Sequence, residues 1–399
     1  MTIRLRSKSR KWWWIAGGLL VLVLAGLATW AIIRNYQPAN EQTPAVSSEP
    51  ETKEPTIPTL TFAAMGDMLA HDSVANQAKT ESGYDFKPYF EHIKPLYDGS
   101  DVVFCNPETP STGQAHGISG YPTFNAPTEF SKDLVDSGCN MINLATNHIA
   151  DKGVSALEQT VDQWRSLDVL AVTGANKSAE EQQKVSFFTK NDIKVAFVAF
   201  ADFSNAGSPA PYSINFYRDT ALVEKLLTEA RQNADLVVVS AHWGTEDSHL
   251  LNDNQRAAAK QMADLGADVI IGTGPHVVQP VEWIDRADGK KTLVWYSIGN
   301  MLSSQLQVDQ LTSGVAKFKV TKKDEGVEIS DIAFDGTFMS YEWSAADRAA
   351  SRLHTRRNLQ LKPLADAEAE VGLFGVNVEE RSQKLREWLG SSVEVKIRP

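Results

Sequence analysis

The sequence predicts an α/β fold with more than one sheet and helices over the outer faces, preceded by one transmembrane helix and a disordered stalk. Three observations carry this. From Leu60 onward, short apolar runs of strand type alternate with segments of helical spacing, then give way to consecutive strands. Ahead of them, Trp12 to Ile33 holds 22 consecutive residues without a charge, enough to cross a bilayer as a helix. Between the two lies a segment of Pro, Glu, Gln, Ser and Thr with almost no bulky apolar residue.

The amino terminus sets the expected topology. Arg4, Arg6, Lys8, Arg10 and Lys11 precede the apolar run, so residues 1–11 are expected in the cytoplasm and the main domain outside. Trp12, Trp13 and Trp14 at one end and Trp30 near the other suit the two membrane interfaces. A cleaved signal peptide is the competing reading, but its apolar core is shorter, about 7–15 residues. Here the run continues through Trp30-Ala31-Ile32-Ile33, so residues 12–33 read as an uncleaved signal-anchor in the cell membrane, single-pass. Residues 34–58, with Pro38, Pro44, Pro50, Pro55 and Pro58, read as the stalk.

Charge excludes one class of partner. Of 39 basic residues, six fall within residues 1–34, which hold no acid; the other 33 face all 50 acids. An acidic domain of this kind has no basic face for nucleic acid, and a polyanionic substrate would need local cations or metals. Two cysteines, Cys105 and Cys139, are too few for a disulfide scaffold or a Cys-based zinc site. They read as two buried, unreactive thiols, with one bridge open to them if the domain is extracellular.

Along the domain, strands are expected at Leu60 to Gly66, Asp101 to Cys105, Met141 to Ala145, Val169 to Val172, Leu236 to Ala241 and Val269 to Ile271. Lys184 to Thr189 and Ile193 to Phe200 form a hairpin across Lys190-Asn191-Asp192. Helices are expected at Phe86 to Tyr97, Thr128 to Gly138, Val154 to Leu167, Asp219 to Asn233 and Asn254 to Gly266. Residues 111–127, rich in Gly and Pro, read as a long surface loop. Val278 to Ile284, Thr292 to Ile298, Val315 to Lys319 and Val327 to Phe334 complete the strands. Residues 341–399 read as a helical extension, with helices at Ala345 to Leu361 and Val378 to Leu389.

The chemistry sits at strand ends. Asp67, Asn106 with Glu108, Asn147 with His148, His242 and His276 each follow a strand at its carboxyl end, where open α/β sheets bind ligands. Asp, Glu, Asn and His donors without Cys suit divalent transition metals such as Mn, Fe or Zn. The donors are numerous enough for two ions, which can activate a water and stabilise a displaced oxygen in phosphoester hydrolysis. His71, four residues after Asp67, is either a further ligand or a helix-start residue. Asp151, four after Asn147, either orients a neighbouring side chain or caps the following helix.

These residues carry a resemblance. Gly66-Asp67, Asn106-x-Glu108, Ala145-Thr146-Asn147-His148-x-x-Asp151-x-Gly153, His242-Trp243-Gly244-x-Glu246, Pro275-His276-Val277-x-Gln279-Pro280 and Tyr296-Ser297-x-Gly299-Asn300 resemble the poly-γ-glutamate capsule synthesis family, CapA/PgsA, over about residues 60–305. That family is similar to calcineurin-like metallophosphoesterases. The resemblance implies a four-layer α/β/β/α sandwich over residues 59–340, with a dinuclear metal site. It further implies Asp67, Glu108, Asn147, His242 and His276 as ligands and His148 as proton donor to a leaving oxygen. His71, Asn106, Asp151, Glu246, Gln279 and Asn300 are its supporting or further ligand positions. Met68-Leu69 follow Asp67 where ordinary calcineurin-like enzymes have a His two residues on, and Glu108 stands where they carry a bridging Asp.

Two functions follow as expectations. One is a membrane-anchored, extracellular, metal-dependent hydrolase of capsule polymer synthesis, acting on an anionic polymer or a phosphoester. The other is a non-catalytic scaffold subunit that holds a polymer synthase or exporter at the membrane.

Overall fold

The computed structural model describes residues 57–207 and 210–399. The segments expected as cytoplasmic tail, signal-anchor and stalk, up to residue 56, lie outside the described residues. Among the described residues no helix is long and apolar enough to cross a membrane.

In chain order the strands are β1 Thr59–Met68, β2 Val102–Pro107, β3 Met141–Asn143, β4 Ala171–Thr173, β5 Ser186–Lys190, β6 Ile193–Ala201, β7 Leu236–His242, β8 Val269–Thr273, β9 Val281–Asp285, β10 Lys291–Trp295, β11 Asn300–Leu302, β12 Thr312–Lys323, β13 Gly326–Glu342, β14 Arg357–Pro363 and β15 Lys396–Arg398. They build two sheets. The first runs β14-β13-β12-β1-β2-β3-β4, with β11 beside β1 and β15 beside β13; the second runs β5-β6-β7-β8-β10-β9. In the first sheet β1 to β4 are parallel, and in the second β6, β7, β8 and β10 are parallel. Parallel pairing places the carboxyl ends of neighbouring strands along one edge.

The sheets pack face to face because their strands are apolar on both sides. In β6, Val195, Phe197 and Ala199 enter the core between the sheets, where Phe197 meets Phe104 of β2 at 6.2 Å between ring centres. The alternate residues Ala196, Val198 and Phe200 form a second core with buried side chains of the long helices over that face. The principal helices are α1 Asp72–Ala78, α2 Thr128–Asp136, α3 Gly153–Arg165, α4 Thr220–Asn233, α5 Asp253–Asp264 and α6 Val378–Leu389. Leu222, Val223, Leu226 and Leu227 of α4 and Ala259 and Met262 of α5 cover the second sheet. Phe130 and Leu134 of α2 and Leu157, Val161 and Trp164 of α3 join the core of the first. The molecule is thus a mixed α/β sandwich, with helices against the outer faces of two sheets.

Five expectations need correction. Phe86 to Tyr97 is not one helix: Pro88 and Pro95 each lack an amide donor, and the segment breaks into a 3-10 turn at Lys87–Tyr89 and a short helix at Lys94–Tyr97. Ala345 to Leu361 helps only through its first turn, Ala345–Ala349; the chain then reverses through Ser351 at φ 52° and forms β14 on the edge of β13. Residues 341–399 are therefore no helical extension, because β14 and β15 complete the first sheet and only α6 matches the expected helix. Residues 111–127 are not simply a surface loop, since Ser111, Thr112, Phe124, Asn125 and Ala126 are buried. Finally, Cys105 and Cys139 are not free thiols but form a disulfide, with their Cα atoms 5.8 Å apart.

Candidate metal centre

The edge where both sets of parallel strands end gathers the acidic and imidazole side chains. Asp67 sits near the end of β1 at a shift of register against β2. The bend depends on Gly66: a Cβ there would lie 1.8 Å from the Gly299 carbonyl oxygen, while the Asp67 amide donates to that same oxygen at 3.0 Å. The carboxylate of Asp67 is fully buried and heavily served. Asn106 Nδ2 donates to Oδ1 at 2.6 Å, the Gly274 amide donates to Oδ2 at 3.1 Å, and His276 Nδ1 stands 3.1 Å from Oδ2. Asn106 is itself held by Asn143 Nδ2, which donates to its Oδ1 at 2.6 Å. Burial works to raise the Asp67 pKa, but the hydrogen bond and charge of His276, with His242 and the Gly274 amide, outweigh it and hold the carboxyl below the usual range.

His242 ends β7 and His276 follows β8. His242 Nδ1 lies 3.0 Å from Thr273 Oγ1 and Nε2 lies 3.0 Å from Asn147 Oδ1. His276 adopts φ 61°, an uncommon conformation for a residue with a side chain, and its Nδ1 also lies 3.1 Å from Asn300 Oδ1. Gly274 makes that turn possible, because at φ 106° its missing Cβ would press on the Trp243 carbonyl oxygen at 2.8 Å. Burial pushes both imidazoles down, yet Glu108 and Asp67 outweigh it; His242 is raised and His276 reaches about 10.

Glu108 differs from its neighbours. It is fully buried, and neither carboxylate oxygen has a hydrogen-bond partner among the described residues. The nearest cationic atoms are His242 Nε2 at 3.5 Å and His276 Nδ1 at 3.8 Å. A buried carboxylate in this state demands positive charge. Ligand atoms of Asp67, Glu108 and His242 all lie within 4.8 Å of one another, a spacing that suits a divalent cation. The donor set of two carboxylates, imidazoles and the Asn147 amide oxygen therefore fits a metal, and metal would take over the charge that the raised histidines supply as protons.

His148 stands beside this cluster with a different set of contacts. Its Nδ1 is 2.7 Å from Asp151 Oδ2, which also accepts from the Phe124 amide at 2.7 Å. Its Nε2 is 3.2 Å from Asn205 Nδ2, and the Phe124 ring packs edge-on at 4.7 Å. Asp151 thus orients His148. Leu69, His71, Tyr121, Phe124, His148, Asn205, Glu246 and His276 line a cavity of about 350 Å³.

The structure brings Asp67, Glu108, Asn147, His242 and His276 together, with Asn106 and Asn300 bonded to them. Other expected positions stand elsewhere. His71 precedes α1 and touches none of the cluster's carboxylates; its Nδ1 accepts weakly from the Ser304 amide at 3.4 Å, and burial brings its pKa down to about 3. Glu246 is exposed at the cavity rim. Gln279 turns away from the cluster: Gln255 Nε2 donates to its Oε1 and its own amide donates to the Ser248 carbonyl, both at 2.8 Å. Sequence reasoning missed Asn143, Thr273, Asn205 and Phe124. Only Thr273 carried a signal, lying between the strand expected at Val269 to Ile271 and His276.

Known proteins resemble the segment of the chain that carries the cluster. The family model described as bacterial capsule synthesis protein PGA_cap matches residues 61–305. The PGA biosynthesis protein CapA of Bacillus subtilis (strain 168) is 28% identical over 281 residues, covering 69% of this chain and 72% of that protein. The capsule biosynthesis protein CapA of Bacillus anthracis is 29% identical over 283 residues, covering 68% of this chain and 66% of that protein. Among solved structures, calcineurin-like phosphoesterase YfkN from Bacillus subtilis is 13% identical, with a TM-score of 0.41 over 70% of this chain and 90% of that one. With a family match that spans well over half its length, the chain belongs to the bacterial capsule synthesis protein family, PGA_cap.

Proposed function

We propose that the protein is a membrane-anchored, extracellular, metal-dependent hydrolase in the synthesis of a poly-γ-glutamate type capsule polymer. In this reading the sandwich is the four-layer α/β/β/α arrangement of metallophosphoesterases, and two divalent ions (Mn, Fe or Zn) sit at the cluster. The observation that carries it is Glu108, a fully buried carboxylate whose two oxygens have no hydrogen-bond partner among the described residues. The extracellular placement is supported by the Cys105–Cys139 disulfide, a bond that persists in oxidising compartments, and by the uncharged run from Trp12 to Ile33.

Asp67, Glu108, Asn147, His242 and His276 would hold the ions, which supply an activated water and positive charge opposite the displaced oxygen. Thr273 and Asn300 fix the rings of His242 and His276. Asp151 holds Nδ1 of His148, so Nε2 is the nitrogen that gives its proton to the leaving oxygen. Asn205 gives up its contact with Nε2 when substrate enters.

The test is metal analysis of the purified full-length protein together with hydrolysis of generic phosphodiesters and of the polymer. His148→Ala is expected to lower turnover by roughly 10²–10⁴-fold with metal content unchanged. If no transition metal co-purifies and His148→Ala turns over at the parent rate, the hydrolase reading fails.

A further inference from the structure

Three arginines are buried among the described residues: Arg286, Arg356 and Arg381. Arg286 pairs with Asp268 and Asp288, and Arg381 pairs with Asp309 and Glu380. Arg356, only 6% exposed, pairs with no carboxylate of the described residues. Its Nε donates to the Leu353 carbonyl at 2.8 Å, and its guanidinium lies over the rings of Tyr341 and Trp343 at 5.3 and 5.7 Å. Those contacts hold the planar group in place but leave its two terminal nitrogens without an acceptor among the described residues. A guanidinium so fixed, with both terminal nitrogens uncommitted, presents forked donors that match a carboxylate or a phosphate.

Arg356 lines a cavity of about 340 Å³, and His71, Tyr121 and Gln305 belong to the walls of both this cavity and the one bordered by His148 and His276. Each cavity has the volume of a small-molecule site. The acids on the wall, Asp72 and Asp247, are exposed and already engaged, by the Gly120 amide and by Gln310. Asp72 acts on the guanidinium by charge, but water screens so exposed an acid. Arg356 comes from the turn into β14, beyond residues 61–305 that the family model matches.

We propose that Arg356 binds an anionic group of the substrate, a carboxylate or a phosphate, one cavity along from the group that reacts at the metal cluster. The inference rests on the hydrolase reading for the reacting group alone. The substrate is then a chain that carries an anion beside its scissile bond, and Arg356 sets which bond reaches the metals.

Calorimetric titration of the full-length protein tests this with two probes, a γ-linked glutamyl oligomer and inorganic phosphate. Arg356→Gln is expected to weaken one of them by roughly tenfold or more, as loss of a charge-assisted bidentate contact does. Arg356→Lys keeps the charge without the fork and falls between. Leu306→Glu places a carboxylate on the same wall at a residue that is 51% exposed, so it tests the site without touching the buried stack. A loss confined to the oligomer assigns a carboxylate; a loss confined to phosphate assigns a phosphoryl group. Failure of both probes to bind the parent, or unchanged affinity in Arg356→Gln and Leu306→Glu, overturns the proposal. Should Arg356→Gln not fold, Arg356→Lys and Leu306→Glu decide it alone. His148→Ala separates the two readings: full turnover in that variant beside lost binding in Arg356→Gln removes the hydrolase and keeps the anion site.

Discussion

Glu108 is the side chain to which the rest of the cluster answers. Asp67 is satisfied by Asn106, Gly274 and His276, so it is stable as an anion in the protein alone. Glu108 has no such set, and its nearest cationic atom is 3.5 Å away. Glu108→Gln is therefore expected to change stability with opposite signs in two conditions. With chelator present, removing a buried carboxylate that no hydrogen bond supports raises the melting temperature, by the equivalent of about 1–3 kcal/mol. With metal at about a hundred times its Kd, the parent gains about 2.7 kcal/mol that the variant forfeits. Thermal scans with and without chelator should cross; a shift of the same sign in both assigns Glu108 to packing. The cluster was legible in the sequence because parallel strands deliver their carboxyl ends to one edge, so Asp67, Glu108, Asn147, His242 and His276 could be read as strand-end residues. Asn205 and Phe124 were not legible, because they reach His148 from loops whose course is set by tertiary packing. Gln279 misled in the opposite sense: it belongs to the His276 motif in sequence, yet its amide is spent on Gln255 and Ser248.

At the scale of elements, local turn chemistry was readable where it acts alone. The β5–β6 hairpin turns on Asn191 at φ 48° and Asp192 at φ 59°, the paired positive values of a tight primed turn. Asn191 suits the first position and also ties the hairpin to β1, its Nδ2 donating to the Thr59 carbonyl at 3.0 Å and to Asp101 Oδ1 at 2.9 Å. Among the described residues Asp192 offers only its backbone carbonyl to a side chain, to Lys322 Nζ at 3.3 Å, so its own side chain meets a strained conformation with no return. Asp192→Gly is expected to stabilise the protein by about 0.5–1 kcal/mol, read as a higher denaturant midpoint with unchanged slope. A lower midpoint would mean that the Asp192 side chain helps the turn. Where an element depends on a distant partner, local signals failed. The residues of β14 carry Leu359 and Leu361 inward at strand period, but only the open edge of β13 makes that period decisive.

Across the whole molecule, the disulfide links the site to the fold. Counting two cysteines could not pair them; their 5.8 Å approach follows from the register of β2 on β3 and from α2 returning the chain above it. The bridge closes 34 residues, from the end of β2 to the turn before β3. Cys105 directly precedes Asn106, which holds Asp67, and the bridged loop contains both Glu108 and Phe124. Chain entropy for a loop of that length corresponds to about 4 kcal/mol of stability. Replacing both cysteines by Ala should lower the free energy of unfolding by that order, and it should weaken metal affinity more than a substitution of equal cost in α6 would, because the loop that loosens carries Glu108. Denaturant titrations with and without metal separate the two effects. If the double variant loses stability by the same amount in both, the bridge supports the sandwich alone. If the loss is larger with metal present, the bridge also positions the carboxylate that the metal needs.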